Sequence, residues 1–160
     1  NPNIDTLLLK NKKEELGIKQ TDICIGLFGY ITENKGHIDA LFSMANLPEK
    51  CKLLIIGRQH PQTIEQNGKI NPYLKVLIKL IEELKLTNRA FFLGELQDQE
   101  LMSLASEIDC VWLPYYECGQ DGSGIASICL DLCPRVICSS SFAFDELLKI
   151  VNTILKYIIS

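Results

Sequence analysis

Two short segments of this chain gather groups that attract phosphate. In Gly29-Tyr-Ile-Thr-Glu-Asn-Lys-Gly36 a lysine stands beside a glycine where a helix begins, so the Lys35 ammonium and free backbone N–H groups could meet one anion together. In Asp121-Gly-Ser-Gly124 small residues again precede a helix start. Gly122 and Gly124 permit close backbone approach there, and Ser123 adds a hydroxyl to the helix-terminal amides. A diphosphate suits both segments. On the residues alone the structural alternatives stay open: Lys35 as a solvated helix-start lysine, Ser123 as an ordinary cap. Glu117 and Asp121 belong to the same glycine-containing loop and could accept hydrogen bonds from sugar or ribose hydroxyls. The loop Gly94-Glu-Leu-Gln-Asp98, with Gly94 and Leu96, could read a base edge through its backbone or be a plain turn. Ser139-Ser-Ser141 is loop chemistry first, because no histidine stands at a strand end to activate a serine.

Other chemistries are set aside by what is missing. Neither Gly-x-x-x-x-Gly-Lys-[Ser/Thr] nor Gly-x-Gly-x-x-Gly follows the first apolar strand, which argues against a P-loop triphosphatase and a dinucleotide enzyme. The 20 acidic and 16 basic residues give a net charge of −4, against a partner held by nucleic-acid phosphates. The 7 cysteines are an odd number, and Cys24, Cys110, Cys129 and Cys138 fall inside apolar segments. That suits a reducing, cytoplasmic setting. Cys129 and Cys133 stand apart from both histidines, His37 and His60, so no metal site is expected. No stretch approaches the roughly 20 apolar residues of a membrane span, and no signal peptide is evident at the start.

Positioning these loops requires a scaffold, and the pattern of the chain predicts one. With 160 residues, 47% of them hydrophobic, a single core can form. Apolar runs read as buried strands at Ile23–Tyr30, Lys52–Gly57, Ala90–Leu93, Cys110–Leu113 and Val136–Ser139. Helical periods alternate with them. The first runs over 35–46, with Ile38, Leu41, Phe42 and Ala45 inward; the next opens at Asn71-Pro72, with Leu74, Leu77, Ile78, Ile81 and Leu84 inward. Asp98 is placed to cap a third, Gly124–Leu132 is a fourth, and Phe144–Ile159 a closing apolar helix that packs in the core, or docks on another domain or a membrane surface. Residues 1–20 are a lysine-rich helix or linker with solvated charges, and 21–160 the domain proper. The expected fold is α/β and Rossmann-like, a parallel sheet with helices on both faces. In such a sheet ligands lie beyond the carboxyl ends of the strands. That rule selects four loops, 30–36, 57–71, 94–98 and 114–124.

Taken in order, these segments resemble the C-terminal, donor-binding domain of B-type retaining glycosyltransferases, of the family four or group 1 type. The resemblance runs from Leu16-Gly17 through Ile25-Gly-Leu-Phe-Gly-Tyr-Ile31 with Lys35-Gly36, Lys52-Leu-Leu-Ile-Ile-Gly57, Arg89-Ala-Phe-Phe-Leu-Gly94 and Glu100-Leu101. It continues through Asp109-Cys-Val-Trp-Leu-Pro114, Ser123-Gly-Ile-Ala126, Val136-Ile-Cys-Ser139 and Phe144-Asp-Glu-Leu147. It implies that Lys35 binds a donor diphosphate, with Gly29 and Tyr30 beside it. It also implies that Gly94 to Leu96 read the base and that Ser123, Gly124 and Ile125 approach the phosphates. Tyr30 stands where the family usually has an arginine, a contact that Arg58 could supply. Gln120 and Ile128 stand where many members have two glutamates, leaving Glu117 or Asp121 for the sugar pocket, and Glu117 for a catalytic part beside Lys35. The resemblance further implies a nucleotide-sugar co-substrate with no cofactor or metal. The glycan or lipid-linked acceptor would sit on an absent N-terminal domain, and the full-length protein would be cytoplasmic, with room for peripheral attachment to the inner face of a membrane. The departures also leave open a scaffold domain without donor binding and, less favoured, half of a nucleotide-sugar epimerase.

Overall fold

The computed structural model describes residues 7–58, 71–116, 124–140, 144 and 158–159. Six parallel strands lie in the order β3-β2-β1-β4-β5-β6: β1 (Ile23–Phe28), β2 (Cys51–Ile56), β3 (Ala90–Gly94), β4 (Cys110–Leu113), β5 (Val136–Ser139) and the two-residue β6 (Ile158–Ile159). Helices α1 (Leu8–Glu15), α2 (His37–Ala45), α3 (Pro72–Glu83), α4 (Asp98–Glu107) and α5 (Gly124–Leu132) complete the Rossmann-like α/β fold read from the sequence. The order reverses between β1 and β4, which opens a crevice beyond their carboxyl ends.

Strand alternation divides the core in two. Cys24 and Phe28 of β1 with Leu54 and Ile56 of β2 face α4 and α5, while Ile25, Leu27, Leu53 and Ile55 face α2 and α3. Both faces of β1 and β2 are therefore apolar, as in any sheet covered twice. Polar groups pin the frame at its lower edge. The Asp109 carboxylate accepts from the Cys24 amide at 2.8 Å and so ties β4 to β1. The Arg89 guanidinium donates to the carbonyls of Met44, Leu47 and Pro48 and so ties the start of β3 to the turn that follows α2.

Several expectations need correction. A 3₁₀ turn at Glu33–Lys35 precedes α2, so the helix starts at His37 and its inward face is His37, Ala40, Leu41 and Met44. Phe42, expected inside, is 51% exposed, and on α3 Ile78 is exposed while Leu77 and Ile81 are buried. The cap of α4 is Gln97, whose amide donates to Glu100 at 3.0 Å; Asp98 is already helical. Lys13, read as solvated, is buried and donates to the carbonyls of Gln20 and Asp22, while Leu9 of the same helix enters the core beside α4. Of the closing helix only its ends are described: Phe144 lies in the core, and Ile158–Ile159 are strand, paired with Cys138 and Ser139. The remainder of that expected helix lies outside the described residues.

The six described cysteines are free thiols. Burial pushes Cys24 and Cys110 up to about 11 and Cys129 up to about 12, which makes them core residues and poor nucleophiles. Among the described residues no helix is long and apolar enough to cross a membrane.

Candidate functional site

Three strand ends are stitched together at the crevice. The Gly29 amide donates to Ile56 at 2.9 Å, the Gly57 amide to Gly94 at 2.8 Å, and the Ile31 amide to the Arg58 carbonyl at 2.9 Å. Gly57 permits this closeness: with φ at +146° it lies so near Gly29 that a Cβ would fall on the Gly29 carbonyl. The result is a cleft of about 380 Å³. Its walls include Gly29, Tyr30 and Lys35 after β1, Gly57 and Arg58 after β2, and Leu96 after β3, and they are closed by Gly124 and Ile125 at the start of α5. Seven residues expected at the site thus meet in one hollow. Gly94 is held just behind it through the Gly57 amide. Glu117, Asp121 and Ser123 lie outside the described residues.

Lys35 is not the solvated lysine of the plain alternative. It is 9% exposed, and its Nζ sits 3.7 Å from the centre of the Tyr115 ring, within cation–π range. The turn carrying it is fixed by its neighbours. Gly36 caps α2 with φ at +69°, pressed so close to Pro114 that a Cβ would fall on the Pro114 carbonyl. The Tyr116 amide donates to the Asn34 carbonyl at 3.0 Å, and the Tyr116 hydroxyl to Asp39 at 2.8 Å. The end of β4 is therefore the floor on which the lysine turn rests.

Opposite Lys35, Arg58 pairs with Glu95 at 3.1 Å, both side chains about half exposed. Behind the turn, His37 is wholly buried with its ring edge-on to Tyr73 at 6.0 Å. Burial pushes its imidazole down to about 4, so it is neutral at physiological pH. Chemically, the cleft joins a cation at a strand end, a second cation on the facing loop and the amino end of a helix, an arrangement that neutralises a polyanion. Among the described residues no three His, Cys, Asp or Glu side chains come together as metal ligands do.

Tyr115 and Glu95 escaped the sequence reading. Both stand at strand-end loops that the carboxyl-end rule selects, but an aromatic after a proline and a lone loop carboxylate signal nothing without their partners' positions. Asp98 and Leu101 also line the cleft.

Sequence comparison matches residues 10–128 to the family described as "Glycosyl transferases group 1". No curated protein matches the chain. Solved structures resemble it in fold. HepE (Alr3699) of Anabaena, in complex with UDP and glucose, is 22% identical with a TM-score of 0.69, over 88% of this chain and 35% of HepE. A glycosyltransferase from Rickettsia africae is 18% identical with a TM-score of 0.71, over 94% of this chain and 36% of its own. The C-terminal domain of a group 1 family protein, LpcC, from Francisella tularensis is 19% identical with a TM-score of 0.65, over 99% of this chain and 80% of its own. The chain thus spans about a third of the length of HepE and of the Rickettsia protein.

Proposed function

The chain belongs to the group 1 glycosyl transferases, and from that premise we propose that it is the donor half of a retaining two-domain enzyme, binding a nucleotide-diphosphate sugar in the 380 Å³ cleft. The observation that carries the reading is the convergence of Lys35, Arg58 and the amino end of α5 on one hollow at the topological switch point. UDP and UDP-glucose in the HepE structures support a nucleotide sugar as ligand.

Each residue then has a part. Lys35 and the first amides of α5 hold the diphosphate and stabilise the charge that grows on it as the glycosidic bond breaks, a favourable field already in place before the reaction. Arg58 supplies the second cation where Tyr30 takes an arginine's place. The backbone at Gly94 and Leu96 meets the base. Ser123 extends the phosphate contacts, Asp121 meets the sugar, and Glu117 reaches the reacting end of the donor. No cofactor or metal enters this scheme, since side chains and amides carry the positive charge. A glycan or lipid-linked acceptor is held by a separate domain, in the cytoplasm or at the inner face of a membrane.

Calorimetric titration of the chain with uridine, guanosine and adenosine diphosphate sugars tests the reading. One donor should bind, and Lys35→Ala should weaken it about 30-fold, the worth of a charge-assisted contact. No binding of any of the three would favour a scaffold domain that has kept only the fold. On this reading a separate domain holds the acceptor, so the 160 residues alone should show no repeated transfer.

A further inference from the structure

The lysine of the cleft is presented by an aromatic ring, and the surroundings of that ring are built to keep it still. The Tyr115 carbonyl accepts from the Ser139 hydroxyl at 2.6 Å, and its ring leans on Phe144 with centroids 5.0 Å apart. On the other side, Tyr115 and Lys35 both border Gly29, where an added methyl would make ordinary contact with the two side chains at 3.8 Å. Phe144, Tyr115 and Lys35 form a stack that runs from the core to the cleft wall.

We propose that Tyr115 is the positioning residue for Lys35, its ring face holding the ammonium at the cleft so that affinity for a nucleoside diphosphate follows the electron richness of the ring at position 115. The inference rests on the donor reading above. Its physical basis is the difference between a ring and a carboxylate. Either attracts a buried ammonium, but a carboxylate brings a full negative charge that repels the incoming diphosphate and competes for the lysine. The ring's quadrupole attracts the cation and leaves the net charge of the pair at plus one. Tyr115 therefore fixes the lysine without discharging it, and touches the donor only through Lys35.

Replacing Tyr115 by phenylalanines of increasing ring fluorination keeps the shape and drains the negative face, which a purely steric role would not register. With UDP, GDP and ADP as probes, Tyr115→Phe should bind within about twofold of the parent, and affinity should fall stepwise with fluorination. Tyr115→Leu should be about tenfold weaker. In a Lys35→Met background the whole series should be flat. The Lys35 ε-methylene protons in the ligand-free chain should be shifted upfield by the ring, and return to ordinary values in Tyr115→Leu. Affinity indifferent to fluorination, a decline that persists without Lys35, or unshifted methylene protons in the parent would each overturn the inference while leaving the donor reading intact. Failure of the parent chain to bind any of the three diphosphates would overturn the donor reading, and the inference with it.

Discussion

Among the described residues two hollows flank the Lys35–Tyr115 contact. On one side lies the polar cleft of about 380 Å³; on the other a larger one of about 530 Å³, lined by Ala40, Leu47, Trp112, Pro114, Tyr115 and Ile137 between α2 and the ends of β4 and β5. The larger hollow is apolar, and the polar groups at its rim are largely spent: Asp39 on the Tyr116 hydroxyl and Ser139 on the Tyr115 carbonyl. Two cations, two carboxylates and a helix start face the smaller one. Size alone would select the apolar hollow; the donor reading rests instead on the convergence of polar groups on an otherwise apolar shape.

The comparison can be broken at its shared wall. Gly36→Ala places a methyl group on the Pro114 carbonyl at a φ of +69°, and should cost about 4 kcal/mol in urea unfolding through combined backbone strain and overpacking. Next in size is a pH effect from His37. Its folded value of about 4 lies below the ordinary 6.5, so between these the unfolded chain binds a proton that the native one refuses. Stability is complete above pH 6.5 and is lost as pH falls to about 4, by roughly 3 kcal/mol. Denaturation curves of His37→Phe should lose most of this slope.

Smaller effects sharpen the contrast. Glu95→Gln releases Arg58 from a half-exposed ion pair, and should tighten nucleoside diphosphate binding about twofold and steepen its loss with added salt. Ser43→Leu narrows the apolar hollow alone, and calorimetry should find diphosphate affinity unchanged.

The sequence reading and the structure agree where composition and breakers coincide. Cys110–Leu113, Gly124–Leu132 and Val136–Ser139 have the expected bounds because Pro114, Gly124, Pro134 and the polar serines end or open them sharply. Phase was harder. The 3₁₀ turn at Glu33–Lys35 delays α2 by two residues and rotates its buried face from Phe42 towards Ala40 and Met44. Gln97 caps α4 through Glu100, a reciprocal pattern that Asp98, the better cap on propensity, conceals. Ile158–Ile159 illustrates the ambiguity of a short apolar run, resolved here by pairing with β5. At the site, the carboxyl-end rule located the loops, and Lys35, Arg58, Leu96 and Gly124 meet because the sheet order brings those loops together. The aromatic support beneath Lys35 was beyond sequence because a cation–π contact depends on where two distant segments cross, and no spacing encodes it.

The most direct test is to map where a nucleoside diphosphate settles, by amide and side-chain chemical-shift changes on titration with UDP, GDP or ADP. The account predicts changes concentrated at Lys35, Gly57, Arg58, Leu96 and the first amides of α5, with the diphosphate in hydrogen-bond reach of the Lys35 ammonium. Changes centred on Trp112 and Ile137 in the apolar hollow, with Lys35 unmoved, would contradict it.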